Sequence, residues 1–478
     1  MAKIVCIRDA DWLAAWDAAA GRHVYMRGAD LAFSGDAIRF VGERYAGPAD
    51  ETIDGRGLFV LPGFVDVHAH PASEPAYRGI REEHGRPEMY MTGLYERLQA
   101  YNLSAAGKLA AAEVAYAELL LSGVTSVVDL SSPYPGWLDL AARSGIRAFL
   151  GPGYASARWR LARDHELAYD WDEQKGRAGF ESARRLIREI ERHPSGRLSG
   201  VVYPAQIDTC SEELLRDSVA VAREQKRPFT THAAQSVVEF QEMVRRHGRT
   251  PVQWASDIGI LGPGTTLGHA LFTDGHSWLH WWSRDDVRLL AETGTSVAHC
   301  PSPFARYGQV LEHFGGYLRA GVNMGIGTDV APHNIIEEMR LALVLARVAA
   351  QDINAVSTAD AFHAATVGGA RALLREDLGR LSPGAKADLV LVDARHPFMA
   401  PARDPLRSLV YTAAERAVRD VYVDGLRVVA DGKVLTLDRE GALRRLAEAQ
   451  ARMEADAPKH DFKGRRSQEI APLSLPLA

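Results

Sequence analysis

Five side chains in this sequence pair metal-binding chemistry with a recurring position. His68 and His70 close the apolar run 58–67, and His232, His269 and Asp329 each follow a short run of Phe, Thr, Leu, Ile, Met or Gly. Along an extended strand, side chains alternate with period two, so His68 and His70 face the same way and one divalent ion can meet both rings. A single His or Asp at such a position is ordinarily a turn cap or a satisfied core polar group; five in the same phase outweigh that explanation. Neutral imidazoles with one carboxylate suit zinc, iron or cobalt better than magnesium or calcium, which prefer oxygen shells. The expected ligands of one such ion, zinc foremost, are His68, His70, His232 and Asp329. An ion held this way lowers the pKa of a bound water toward ~7. His269 is expected beside that water, stabilising the oxygen that develops charge.

Such residues must be held by strands that end at one level. Short Val-, Ile- and Leu-rich runs at 58–67, 124–129, 146–150, 198–203, 229–232, 265–268, 295–298 and 322–326 predict eight strands. Amphipathic stretches of helical period lie between them, at 104–121, 181–193, 212–225, 237–247, 284–292 and 335–349. Eight alternations in about 300 residues favour a closed (β/α)8 barrel, a TIM-like α/β fold, over an open sheet; active-site groups of such barrels sit at strand C-termini. Both chain ends carry short strand signals broken by Gly and Asp. A small β-sandwich domain is therefore expected from 1–57 plus 382–440, with the barrel at 58–381 and a helical then extended tail at 441–478.

Two connections exceed plain turns, 71–103 and 152–178, and long loops at strand C-termini commonly form lids. The first carries Tyr77, Arg78, Arg81, Glu82, His84, Arg86, Met89 and Tyr90; the second carries Tyr154, Trp159, Tyr169 and Trp171. Aromatic walls around a substrate are expected there. The tail is expected to wrap a surface or a neighbouring subunit.

Composition narrows the function. With 46% hydrophobic and 24% charged residues, the 478-residue chain can bury a large core. A net charge of -5 leaves no basic footprint for nucleic acid, and no run approaches the ~20 apolar residues of a membrane span. A small-molecule substrate follows. Three scattered cysteines and a start without a signal-peptide pattern point to the cytoplasm.

Several segments carry a family resemblance: LPGFVDVHAH at 61–70, LLLSGVTSVV at 119–128, TCS at 209–211, TSVAHCP at 295–301, GTD at 327–329 and LSPGAKADLV at 381–390. In this order they resemble the amidohydrolase superfamily, in the branch of cytosine deaminase, triazine hydrolases and methylthioadenosine/S-adenosylhomocysteine deaminases. The resemblance implies metal ligation by His68, His70, His232 and Asp329, with Asp329 also accepting the water's proton and His269 polarising water and substrate. It implies a hydrogen-bonding role near the site for His299, turn and cap roles for Thr209, Cys210 and Ser211, and a homo-oligomer. Binuclear relatives use a carboxylated Lys at the end of strand four; 198–208 contains none, so a single metal is expected.

Two departures bear on the reaction. The branch's deaminases carry a Glu three residues after the fifth-strand His, where this chain has Gln235, and a neutral amide cannot shuttle a proton. Where relatives read Gly-Pro-His before Thr-Cys-Ser, this chain has Tyr203-Pro204-Ala205. Gln235 is thus expected to position water or substrate. The departures favour hydrolysis of an amide, urea or carbamate, aryl-substituted to suit the lids. A deaminase or dechlorinating hydrolase of a triazine, pyrimidine or purine is the alternative, and a non-enzymatic barrel a more distant one.

Overall fold

A computed structural model describes residues 3–477. Eight parallel strands form the barrel: β1 (Phe64–Ala69), β2 (Val124–Ser131), β3 (Arg147–Pro152), β4 (Leu198–Gly200), β5 (Phe229–Ala233), β6 (Thr265–His269), β7 (Ser296–His299) and β8 (Asn323–Ile326). They pair as two half-barrels, β1 to β4 and β5 to β8. Bridges Val202↔Phe229 and Gln206↔His232 close one seam and Ala69↔Asp329 the other. The seams therefore run through His232 and Asp329 themselves and through Ala69, between His68 and His70.

The continuous apolar run 58–67 becomes two strands. Leu58–Pro62 joins a seven-stranded sheet outside the barrel, while β1 begins at Phe64. Gly63 makes the break: a Cβ there would lie 2.0 Å from Thr125 Oγ1. Residues 58–62 thus belong with the terminal sheets, five residues past the expected boundary. Those two sheets, of four and seven strands, enclose a core that includes Ile7, Leu31, Phe33, Val60, Leu389 and Leu391.

Helix limits follow local chemistry. Ser104 caps Ala105–Leu121 by accepting from Gly107 N at 3.2 Å, and Asn334 caps Ile335–Ala350 through Ile336 N and Glu337 N. The helix expected at 181–193 instead starts with Asp172 capping Glu173–Glu191. Gly176 and Gly179 hide its first turns from a propensity reading. Their role is contact: a Cβ would fall 2.6 Å from Ser156 Oγ and 2.9 Å from Tyr154 Cβ, so the helix presses onto the loop after β3.

Both long connections have structure of their own. The loop after β3 folds into an antiparallel hairpin, Ala157–Arg163 with Glu166–Trp171. The loop after β1 holds the helix Leu94–Ala100. The C-terminal helix Arg439–His460 packs on Ala105–Leu121 and on Tyr77, Ile80 and Tyr101 of that loop. Beyond it, Arg465 pairs with Glu96, Lys463 reaches Asp164 at 2.5 Å, and Phe462 packs with Tyr95, Met89 and Leu161. The tail thereby straps both lids from the chain's own surface. Among the described residues, no helix is long and apolar enough to cross a membrane.

One buried ion cluster fastens the sandwich to the barrel. Arg147, first residue of β3, pairs with Asp388 at 3.2 Å and with Asp424, and the guanidinium and Asp388 are each 3% exposed. Removing one partner leaves buried charge without compensation. Arg147→Met is expected to cost about 3–5 kcal/mol, read as a clear fall in thermal midpoint; an unchanged midpoint would refute this role.

Candidate metal centre

The five candidate side chains converge. His68 and His70 leave β1, His232 leaves β5, His269 ends β6 and Asp329 follows β8. His70 Nε2 lies 3.3 Å from His232 Nε2 and 3.2 Å from Asp329 Oδ1; His68 Nε2 lies 3.5 Å from the same oxygen. Four donors around an ion at 2.0–2.1 Å would stand about 3.4 Å apart at the edges of a tetrahedron. Ligand atoms of His68, His232 and His269, and of His68, His70 and Asp329, lie within 4.8 Å of one another. His269 thus groups with two of the four expected ligands, His68 and His232.

Tautomers sharpen the fit. His70 Nδ1 is 2.9 Å from the Leu130 carbonyl, and His232 Nδ1 is 2.7 Å from the Ala205 carbonyl. A carbonyl only accepts, so both Nδ1 atoms carry the proton and, in the neutral rings, both Nε2 atoms point lone pairs at each other. Burial drives the His232 and His269 pKa values far down, His68 and its neighbours adding to the effect, which keeps these rings neutral. Burial disfavours the Asp329 carboxylate, but the contacts of His68 and His70 outweigh it and hold its pKa well below the usual range. Both ring nitrogens of His68, and Nδ1 of His269, are buried with no hydrogen-bond partner. Three imidazoles gathered beside a carboxylate, one of them with both ring nitrogens unpartnered, fit a divalent transition metal, and His68, His70, His232 and Asp329 would hold it.

Local sequence explains how these groups fit. A Cβ at Gly268 would lie 2.6 Å from His68 Cε1, and one at Gly327 2.7 Å from His68 Cβ; two glycines open the slot for that ring. Asp329 takes a left-handed backbone, φ 54°, pinned by its N–H to His68 O at 2.8 Å and by His70 N–H to its carbonyl at 3.3 Å. Beneath them, Asp66 accepts from His68 N and from Thr328 N and Oγ1, at 3.0, 3.2 and 2.6 Å. Asp129 accepts from Tyr116, Ser131 and Trp137, anchoring the end of β2 below the Leu130 carbonyl. Sequence reasoning missed Asp66 and Asp129, although each occupies a strand otherwise apolar enough to mark it.

The centre opens into a cavity of about 840 Å³. Of the predicted lid residues, Tyr77, Arg81, Tyr154 and Trp171 line it. Trp159 and Tyr169 turn away, donating to one carboxylate oxygen of buried Asp208, each at 2.8 Å, and so latch the hairpin to the barrel. Tyr90 is exposed and Met89 packs below the loop. Phe304, Tyr307, Tyr101 and Gln206 complete the wall without having been foreseen, because only tertiary folding brings them there. Gln235 does line the cavity. The His299 ring stacks on Phe314 at 4.9 Å, and its backbone carbonyl accepts from Gly327 N–H at 3.1 Å. Ser211 caps a helix as expected, accepting from Leu214 N.

A barrel with a metal-type centre at its strand C-termini defines a class of hydrolases, and the chain's relatives say which. Residues 59–428 match the amidohydrolase family, and the chain belongs to it. It is 32% identical over 418 residues to the 5-methylthioadenosine/S-adenosylhomocysteine deaminase of Natronomonas pharaonis, covering 87% of this chain and 90% of that protein. It is 32% identical over 415 residues to the 5'-deoxyadenosine deaminase of Methanothermobacter thermautotrophicus, covering 85% and 90%. The fold matches the zinc complex of atrazine chlorohydrolase from Arthrobacter aurescens TC1 with a TM-score of 0.79, at 22% identity over 93% of this chain and 100% of that one. It also matches an adenosine deaminase from Xanthomonas campestris with bound zinc, with a TM-score of 0.78 at 22% identity, covering 94% and 98%. The protein is a hydrolytic enzyme acting on C–N bonds.

His70→Ala is expected to leave the fold intact and abolish stoichiometric metal after reconstitution and desalting, measured by emission spectrometry. Full retention of metal would remove His70 from the ligand set.

Proposed function

We propose that this enzyme is a mononuclear metal-dependent aminohydrolase that removes an exocyclic amine from an sp² carbon of a small nitrogen heterocycle. The reading is carried by deaminase relatives that align along most of the chain together with a donor set that suits one ion. It places a purine, pyrimidine or triazine ahead of the amide and urea substrates that Gln235 favours on sequence alone. A divalent ion held by His68, His70, His232 and Asp329 would supply an activated water. Asp329, held ionised, takes the proton of that water and passes it to the departing nitrogen. His269, neutral and with an unpartnered Nδ1, stabilises the oxygen that gains charge. Tyr77, Phe304 and Trp171 exclude water around a flat substrate. The buried free thiols Cys6, Cys210 and Cys300 accord with a reducing, cytoplasmic setting.

A second reading has its own observation. Gln235 cannot protonate a ring nitrogen, and among the described residues the other carboxylates lining the cavity besides Asp329 are engaged elsewhere: Glu74 pairs with Arg81, Asp170 with Arg160, and Asp172 caps a helix by accepting from Lys175 N. Cleavage of a urea, carbamate or anilide needs no ring protonation, so Asp329 suffices for the leaving amine.

The zinc-, iron- or cobalt-reconstituted enzyme is to be assayed for ammonia from adenosine, methylthioadenosine and aminotriazines, and for aniline from phenylureas and anilides. Ammonia from a heterocycle is the expected outcome; aniline alone would establish the second reading, and neither product would overturn both. Asp329→Asn is expected to lower kcat by about 10²–10⁴-fold, with the fold retained by circular dichroism. Gln235→Ala should act more mildly, and an equal loss in both would show that turnover depends on Gln235 as strongly as on the carboxylate.

A further inference from the structure

Gln206 and Gln235 form a neutral pair in the cavity wall. The chain arrives at them from opposite sides of a barrel seam: Gln206 bridges to His232, Ile207 N–H donates to the His232 carbonyl at 2.9 Å, and His232 N–H donates to the Ala205 carbonyl at 3.1 Å. The two side chains meet where Gln235 Nε2 donates to Gln206 Oε1 at 2.6 Å. Both line the same cavity as His70, His232 and His269.

Their backbones are held firmly. Buried Glu239 accepts from Ala234 N–H at 2.6 Å and from Gln235 N–H at 3.0 Å, and its own N–H donates to the Ser236 hydroxyl. Tyr95 meets that hydroxyl at 2.6 Å. On the other side, Asp208, two residues after Gln206, is latched by Trp159 and Tyr169. The pair is therefore a prepared surface, not a chance contact of two mobile side chains.

Among the described residues, the remaining polar atoms, Gln235 Oε1 and Gln206 Nε2, have no protein partner, and neither is among the sealed unpartnered atoms. One is an acceptor and the other a donor. Turning both amides over would exchange their roles and still leave one of each. Neither group titrates, so the pair cannot serve as an acid.

We infer that the Gln206–Gln235 pair is a specificity element that reads a neutral donor–acceptor edge beside the reacting carbon: an N–H next to a ring nitrogen or carbonyl. The inference rests on the C–N hydrolase reading and deepens it. Both readings of the reaction offer such an edge, the aminoheterocycle through its amine and ring nitrogen, the urea through its N–H and carbonyl. A site built to hydrogen-bond a substrate rejects an analogue lacking the group, because its own polar atoms are then left unpaired. Fully N-alkylated compounds should therefore be excluded.

Binding tests this apart from turnover. Zinc-loaded enzyme is titrated with adenosine and with phenylurea by fluorescence, Trp171 in the cavity wall reporting. Their N-methylated counterparts, N6,N6-dimethyladenosine and trimethylated phenylurea, are titrated alongside. At least one parent compound should bind, and Gln206→Leu and Gln235→Leu should each weaken it tenfold or more, with metal content and thermal midpoint unchanged. The methylated counterpart should bind the wild type as weakly as the parent binds the variants, and should be indifferent to either substitution. Equal losses for parent and methylated compounds, no loss for either, or no binding of either parent would overturn the inference. Ammonia or aniline release with unaltered binding in the variants would leave the hydrolase reading standing and remove the pair's role alone.

Discussion

Two imidazole nitrogens, His70 Nε2 and His232 Nε2, face each other 3.3 Å apart beside the Asp329 carboxylate. The Leu130 and Ala205 carbonyls take the Nδ1 protons of His70 and His232, so the Nε2 lone pairs meet across a gap that a cation fills favourably. That constraint sets the requirements of everything around it. The barrel must close with the correct stagger, since Ala205 belongs to the segment after β4 and Leu130 to β2, each one strand away from the ring it orients. An error of one residue in either register would turn a carbonyl away and release a proton into the centre.

Next to the centre, two buried carboxylates are matched by several donors each. Asp66, whose pKa burial pushes up to about 7, and Asp129 join strand ends through neighbouring hydroxyl, indole and backbone donors. Half-satisfied networks of this kind would be worse than an apolar core, and satisfied ones specify a single arrangement. The lids obey the same logic at larger scale. Trp159 and Tyr169 hold the hairpin to Asp208, and the tail binds Glu96 and Asp164, so the cavity is walled by elements tied to the barrel and to each other.

The family fold and the local chemistry together separate what is shared from what is particular. The donor set is of the kind that activates water, and belongs to the barrel. Gln235, with Ala205 and Gln206 opposite, gives the wall beside the histidines neutral side chains.

Sequence alone determined the eight strands, the strand-terminal phase of the five centre residues and the cap at Ser211, because alternation, apolar runs and capping are local properties. It could not reveal that Gly63 splits one apolar run between two sheets, or that Gly176 and Gly179 begin a helix, since those glycines answer to Thr125, Ser156 and Tyr154 across the fold. Nor could it pair Gln206 with Gln235, 29 residues apart, or send Trp159 to Asp208 instead of into the cavity. Such contacts depend on barrel stagger and on the packing of loops over it, and both are decided only when distant segments compete for the same space and the same hydrogen-bond partners.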